Sequence, residues 1–211
     1  TREASELKEL AEAILRGENP FTTRTGPMRR AYRSPLDQNL SEFGLYVPES
    51  FTNIDIYDEK YLKMSYQELA VDILSNFLDG YTKEEVTTFV SEAYGDNFET
   101  KDIVPVKTCD KVNFLELFRG PTLAFKDMAL QILPKFMVAA ARKEGITDEI
   151  VVLTATSGDT GKAALEGFAN KEGIKIVVFF PTDGVSEVQR MQMVTQAGAN
   201  THVVAIKGNF D

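Results

Sequence analysis

Residues 149–161 read EIVVLTATSGDTG, an apolar run followed by small hydroxyl residues and glycines. The run over residues 149–155 predicts a strand that is buried on both faces, and residues 160–170 have the periodicity of a helix. In an open parallel sheet, the loop between such a strand and such a helix lies at the carboxyl edge, where ligands bind. This stretch therefore predicts an α/β fold with a ligand site at the edge of its sheet.

The same alternation extends to both sides of this stretch. Further apolar strands are predicted at residues 113–118, 175–180 and 201–207, and helices at 126–143 and 186–196. Strands that alternate with helices and are apolar on both faces indicate a parallel sheet flanked by helices. Because the sequence ends just after the fourth strand, we expect a truncated fold, with residues 103–211 forming a partial α/β domain.

A small, mostly helical domain is predicted over residues 28–102. Two capping-box patterns, Ser65 with Glu68 and Thr82 with Glu85, each precede an apolar helical stripe. Residues 1–27 contain one short amphipathic helix and then glycine, proline and threonine without periodicity. We interpret residues 1–27 as an appended or tag-like segment.

Composition excludes several kinds of partner. The formal net charge of −9 argues against a nucleic-acid partner, which needs a basic face. No apolar run approaches the roughly 20 residues that a membrane-spanning helix needs. The single cysteine, Cys109, excludes an internal disulfide and favours a reducing, cytoplasmic location. The single histidine, His202, argues against a histidine metal site and is interpreted as a structural residue of a strand.

The segment from Thr154 to Gly161 is the first candidate site. Hydroxyl side chains and glycines after a buried strand expose backbone N–H groups, which suits a carboxylate or phosphate. The alternative is an ordinary helix cap in which Ser157 or Asp159 binds the first-turn amides. Neither the Walker spacing nor Gly-x-Gly-x-x-Gly is present, so nucleotide binding is disfavoured.

Lys126 is the second candidate. It lies at a predicted helix start between the apolar residues Leu123–Phe125 and Met128–Leu130. Such neighbours would remove water from the amine and favour the free base that Schiff-base chemistry needs. The alternative is a solvated surface lysine.

Both segments resemble one family. Residues 115–127, LELFRGPTLAFKD, closely resemble the cofactor-lysine segment of threonine synthases, and residues 154–161 resemble the loop that these enzymes place against cofactor and substrate. The helical section and residues 46–49, YVPE, are similar to the front part of the family. The resemblance covers about residues 28–211.

The resemblance implies a tryptophan synthase β-like fold, which is fold type II of the pyridoxal-phosphate (PLP) enzymes. In that case residues 103–211 bind PLP, and the activity converts O-phospho-L-homoserine and water to L-threonine and phosphate. Lys126 would hold PLP as a Schiff base and later move protons, and Phe125 would lie near the ring.

The loop would bind substrate and cofactor together. Ser157, Gly158, Asp159 and Thr160 would hold the substrate carboxylate and the side of the ring with the phenolic oxygen, while Thr154 orients the loop. Related enzymes have Asn at the position of Asp159, so we expect Asp159 to act through its amide or in an unusual protonation state. Lys162 would meet the substrate phosphate, or remain a surface lysine.

Departures from the family leave alternatives open. Arg119 replaces a histidine, and no Asp-Gly-Gly precedes residues 46–49. The family's contacts to the cofactor phosphate and to the pyridine nitrogen lie beyond residue 211, so the chain alone is expected to bind PLP weakly and to turn over little. The alternatives are another fold-type-II lyase, such as a threonine or serine dehydratase or a phospho-hydroxy-amino-acid lyase, and a non-catalytic interaction fragment.

Overall fold

The computed structural model describes residues 54–208, together with the backbone of two short strands nearer the N-terminus. The chain divides into a unit Thr1–Phe51 and a unit Thr52–Asp211. In the first unit, β1 (Met28–Ala31) pairs antiparallel with β2 (Leu45–Pro48). The predicted segment 1–27 lies outside the described residues.

The second unit begins with helices that both start at capping boxes. The Ser65 hydroxyl accepts from the Glu68 N–H, and the Glu68 carboxylate accepts from the Ser65 N–H at 2.8 Å. Thr82 and Glu85 repeat this exchange. Each cap contributes about 1 kcal/mol, and both were predicted. The elements are a 3₁₀ turn (Tyr61–Lys63), α1 (Tyr66–Ser75) and α2 (Lys83–Ala93).

A hairpin follows these helices. The strand β3 (Val106–Cys109) pairs antiparallel with β4 (Val112–Leu115), and the residues of both strands are exposed. The prediction that residues 113–118 belong to the parallel sheet is therefore wrong. The chain reverses directly after β3 through Asp110, whose φ is 53°, so β4 meets the preceding strand in antiparallel orientation.

The helix predicted over residues 126–143 is two helices. They are α3 (Asp127–Leu130) and α4 (Leu133–Lys143), and Pro134 lies in the first turn of α4. A proline has no N–H to donate, and its ring would clash with the carbonyl of Leu130 in a continuous helix. The helix therefore breaks before Pro134, and the Leu130 carbonyl makes no α-helical bond to residue 134.

The parallel sheet has three strands in the order β5 (Ile150–Ala155), β6 (Ile174–Pro181) and β7 (Thr201–Ile206). The connecting helices are α5 (Asp159–Phe168) and α6 (Glu187–Val194). These elements confirm the predicted strands and helices over residues 149–207. His202 lies in β7 opposite Val177 and is half-buried.

Two apolar clusters stabilise the second unit. One includes Val86, Val90 and Ile132 and joins α1 and α2 to residues from the start of α4, and the other surrounds Leu165 and Ile176 at the sheet. The helices and the sheet thus share one unit, and the predicted domain boundary near residue 102 stays a prediction. No helix in the described part of the chain has the length and apolarity to cross a bilayer.

Candidate active site

The short helix α3 is anchored on both sides. The buried Tyr94 hydroxyl, at the end of α2, donates to the carbonyl of Met128 at 2.5 Å, and burial raises the pKa of Tyr94. The carbonyl of Lys126 accepts from the Leu130 N–H at 2.9 Å and closes the only turn of α3. The backbone at Lys126 is therefore held by a bond within α3, and α3 is held in turn by the distant Tyr94.

Gly167 brings α5 into direct contact with α3. A Cβ atom built on Gly167 would lie 2.0 Å from the carbonyl oxygen of Leu130, which is far inside van der Waals contact. Only glycine fits there without a backbone shift. The helix that follows Lys126 therefore packs on the helix that begins at Asp159.

Asp127 closes the loop before Lys126. Its fully buried carboxylate accepts from the Thr122 N–H at 2.8 Å and from the Thr122 hydroxyl at 2.6 Å. Burial raises the pKa of Asp127, and the bonds from Thr122 oppose that rise. Gly120 lies against this carboxylate, because a Cβ there would be 2.5 Å from Oδ2. Sequence reasoning missed Asp127, although an acidic residue beside a candidate lysine was a visible signal.

The bonds to Asp127 hold an unfavourable backbone conformation. Leu123 has φ 60°, in the left-handed region that costs a non-glycine residue about 1–2 kcal/mol. Its N–H donates to the Gly120 carbonyl at 3.1 Å. The bonds between Thr122 and Asp127 and between Leu123 and Gly120 thus hold the loop in one conformation.

Lys126 is half-buried, and its Nζ lies 4.3 Å from the centroid of the Phe125 ring. The predicted apolar shelter is incomplete, since Leu123 is 62% exposed and Phe125 is 60% exposed. Among residues 54–208, no carboxylate forms an ion pair with this amine. The amine is therefore available for chemistry, beside an aromatic ring that faces solvent.

Thr156 shapes the loop after β5. Its buried hydroxyl accepts from the Gly158 N–H at 3.0 Å and from the Gly161 N–H at 2.9 Å. Gly158 has φ 154°, a conformation that side chains disfavour. The orienting role that we predicted for Thr154, which lies within β5 opposite Val178, stays a prediction.

The start of α5 forms a cradle of backbone N–H groups. Those of Ser157, Asp159 and Thr160 donate to no acceptor within the described part of the chain. Neither Ser157 nor Asp159 accepts from a first-turn amide, as the alternative of an ordinary cap required, and the first-turn amide of Gly161 is bound by Thr156 instead. Unpaired N–H groups at the positive end of a helix suit a carboxylate or another anion. The structure brings together the four predicted loop residues, Ser157, Gly158, Asp159 and Thr160.

The remaining charged candidates have protein partners. The Lys162 ammonium binds Glu166 at 3.1 Å and also contacts Gln196, so its predicted contact with a phosphate stays a prediction. Arg119 binds Glu99 at 2.5 Å and Glu116 at 2.7 Å, and these carboxylates raise the pKa of its guanidinium. Arg119 therefore stabilises this segment through ion pairs with two carboxylates.

Comparison with solved structures defines the class. The fold is similar to PLP-bound threonine synthase from Brucella melitensis, with 37% identity and a TM-score of 0.71, over 80% of this chain and 36% of that chain. Threonine synthase from yeast gives 32% identity and a TM-score of 0.71, over 80% of this chain and 36% of that one. The α/β fold is thus that of fold type II, as predicted.

Sequence comparison finds similarity to the same family. A family model described as threonine synthase N terminus matches residues 37–94, which include α1 and α2. Threonine synthase from Pseudomonas aeruginosa is 39% identical over 174 residues, which are 81% of this chain and 36% of that relative. In sequence and fold, the chain matches the N-terminal part of threonine synthases, and the predicted resemblance is confirmed. It spans between 36% and 40% of the length of the first curated relatives.

Proposed function

We propose that the natural protein with this sequence is a PLP-dependent threonine synthase, which converts O-phospho-L-homoserine and water to L-threonine and phosphate. One observation carries this proposal. An amine without an acidic partner among the described residues, that of Lys126, precedes a helix that packs on the helix of the anion cradle. The similarity to threonine synthases supports the same activity.

The chemistry of Lys126 and Phe125 fits PLP as a cofactor. When bound, PLP supplies an electron sink that stabilises negative charge on the substrate carbons. The Lys126 amine would hold the cofactor covalently and, once released by substrate, would move protons as base and acid. The exposed ring of Phe125, 4.3 Å from that amine, would flank the bound ring.

The loop would hold the substrate carboxylate. The N–H groups of Ser157, Asp159 and Thr160 are available donors, and glycine at position 158 adopts the backbone conformation that leads the loop into α5. Asp159 would act through its amide, because its carboxylate already accepts a bond from Gln189 at 2.9 Å. Thr154 would support the loop from β5, and Lys162 is the weaker candidate for the substrate phosphate because Glu166 engages it.

A cytoplasmic location forms part of this proposal. Cys109 is a free, exposed thiol, and a reducing compartment preserves such a group. The partner that the site would bind is a small-molecule substrate, O-phospho-L-homoserine.

The product formed from O-phospho-L-homoserine tests the reaction. The natural protein, supplied with PLP, is expected to release L-threonine and phosphate in equal amounts, measured by amino-acid chromatography and a phosphate assay. Lys126→Arg keeps the positive charge but lacks the primary amine, and we expect it to lose about a thousandfold or more in kcat. The control Lys135→Arg changes a lysine that binds Glu92 and is expected to retain activity.

Other outcomes separate the alternatives. A keto acid in place of threonine would identify a different fold-type-II lyase, and L-threonine and L-serine offered as substrates would reveal a dehydratase. A natural protein that neither binds PLP nor turns over any of these compounds would contradict an enzymatic role and favour an interaction protein.

A further inference from the structure

Gln189, in the first turn of α6, joins the starts of two helices through one side-chain amide. Its Oε1 accepts from the Ser186 N–H at 3.2 Å and from the Ser186 hydroxyl at 3.1 Å, which forms the capping box of α6. Its Nε2 donates to Oδ1 of Asp159, the first residue of α5, at 2.9 Å. The two ends of this amide therefore serve different helices.

The same amide lies against the backbone of the cradle. A Cβ atom built on Gly158 would be 2.4 Å from Nε2 of Gln189 and 2.5 Å from its Cδ. Gln189 thus covers the residue at which the loop turns into α5. Its side chain contacts the cradle through both Gly158 and Asp159.

The partners of Gln189 require an amide at this position. The Ser186 backbone N–H can only donate, and an ionised Asp159 carboxylate can only accept. An amide satisfies both, because it carries one acceptor oxygen and two donor hydrogens. An ionised glutamate satisfies only the Ser186 side and places a second negative charge beside Asp159.

We propose that Gln189 is a positioning residue for the substrate-binding loop, an inference that rests on the proposed function. It holds the Asp159 carboxylate toward α6, so that the N–H groups of Ser157, Asp159 and Thr160 serve the substrate carboxylate. A carboxylate that turned toward the substrate would repel it. The bond from Gln189 therefore explains how an anion-binding loop can contain an Asp at this position.

Gln189→Glu separates this role from the helix cap. Glutamate preserves the Ser-x-x-Glu capping box but removes the donor to Asp159. With O-phospho-L-homoserine as substrate, we expect KM at pH 8 to rise tenfold or more and kcat to change less, because binding of the substrate carboxylate is affected in ground and transition states alike. Ser186→Ala removes the cap and leaves the bond to Asp159, so its KM is expected to stay within about twofold.

The pH profile distinguishes positioning from a general loss of structure. Toward acid pH, the introduced glutamate becomes protonated and can again donate to Asp159, so KM of Gln189→Glu is expected to approach that of the unchanged protein. Besides Asp159, the charged groups of the two helices are Lys162 and Glu166 on α5 and Glu187 and Arg190 on α6; Asp183 precedes α6, and Asp127 begins α3, which packs on α5. These groups are common to both proteins, so they cancel in the ratio of the two KM values.

Hydrogen exchange tests the inference without turnover. In the cofactor-free natural protein at pH 8, Gln189→Glu is expected to exchange faster than the unchanged protein in a peptide that contains Gly158 and Gly161, whereas Ser186→Ala is not. Exchange and KM equal to those of the unchanged protein would overturn the inference, as would equal, pH-independent losses in both variants. If the unchanged protein does not act on O-phospho-L-homoserine, the proposed function fails and hydrogen exchange alone decides the role of Gln189.

Discussion

Gly167→Ala is expected to destabilise the protein by about 3 kcal/mol or more, at the upper end of the range for overpacked cores. The added methyl would lie 2.0 Å from the carbonyl oxygen of Leu130, and both sides of this contact are backbone. Relief therefore requires α3 and α5 to separate. Because Lys126 directly precedes α3, any variant protein that still folds should also lose cofactor binding.

Urea unfolding followed by circular dichroism measures this loss. The matched control is Gly80→Ala, since a Cβ there has nothing within 4 Å and its φ is not positive. We expect the free energy of unfolding of this control to lie within about 0.5 kcal/mol of that of the unchanged protein. It could be slightly higher, because alanine makes the unfolded chain less flexible. Equal midpoints for both variants would show that the contact between Gly167 and Leu130 is not tight.

Asp127→Ala is expected to cost about 2–4 kcal/mol, because two buried donors lose their acceptor and a cavity remains. Those donors are the Thr122 N–H and hydroxyl, which bind the Asp127 carboxylate at 2.8 and 2.6 Å. The left-handed conformation of Leu123 would then lose the contacts that hold it. The loop before Lys126 should become mobile, and limited proteolysis at residues 120–126 should detect this.

Asp127→Asn is the matched control. Its amide oxygen can accept from the Thr122 N–H while its NH₂ donates to the Thr122 hydroxyl, so the variant should keep most of the stability. Burial raises the pKa of Asp127 in the folded state. The folded state therefore binds the proton more tightly than the unfolded state does. The stability that results is fully present when the pH is below 3.8, the pKa of the group in the unfolded chain.

The pH dependence of this pair has a definite sign. As pH rises through the raised folded pKa, the protonated form is lost, so the unchanged protein should lose stability relative to Asp127→Asn. Urea midpoints measured for both proteins from pH 3 to pH 8 provide the comparison. A stability difference that instead favours the carboxylate with rising pH would show that the bonds from Thr122 outweigh burial.

Local sequence signals predicted much of the fold. The capping boxes at Ser65 and Thr82 act within four residues, and the apolar runs of β5, β6 and β7 reflect burial on both faces. The partner of β4 was missed, because an apolar run does not state which strand it pairs with. The helix break before Pro134 had a visible signal, since proline disrupts a helix interior.

The candidate site was predictable in its residue types and not in its supports. Lys126 and the loop residues Ser157–Thr160 stand out because polar groups adjoin apolar runs. Gly167 and Gln189 act through partners that only folding brings near, namely Leu130 and Asp159, whereas Asp127 binds Thr122 only five residues away. A single sequence does not record such pairs.

The central claim is that Lys126 carries the cofactor. Its most direct test is reduction of the natural protein, incubated with PLP, by borohydride, followed by digestion and mass spectrometry. The account predicts that the yellow colour bleaches and that one pyridoxyl-phosphate group is found on Lys126. A protein that stays colourless, or that carries the label on another lysine such as Lys162, would contradict the account.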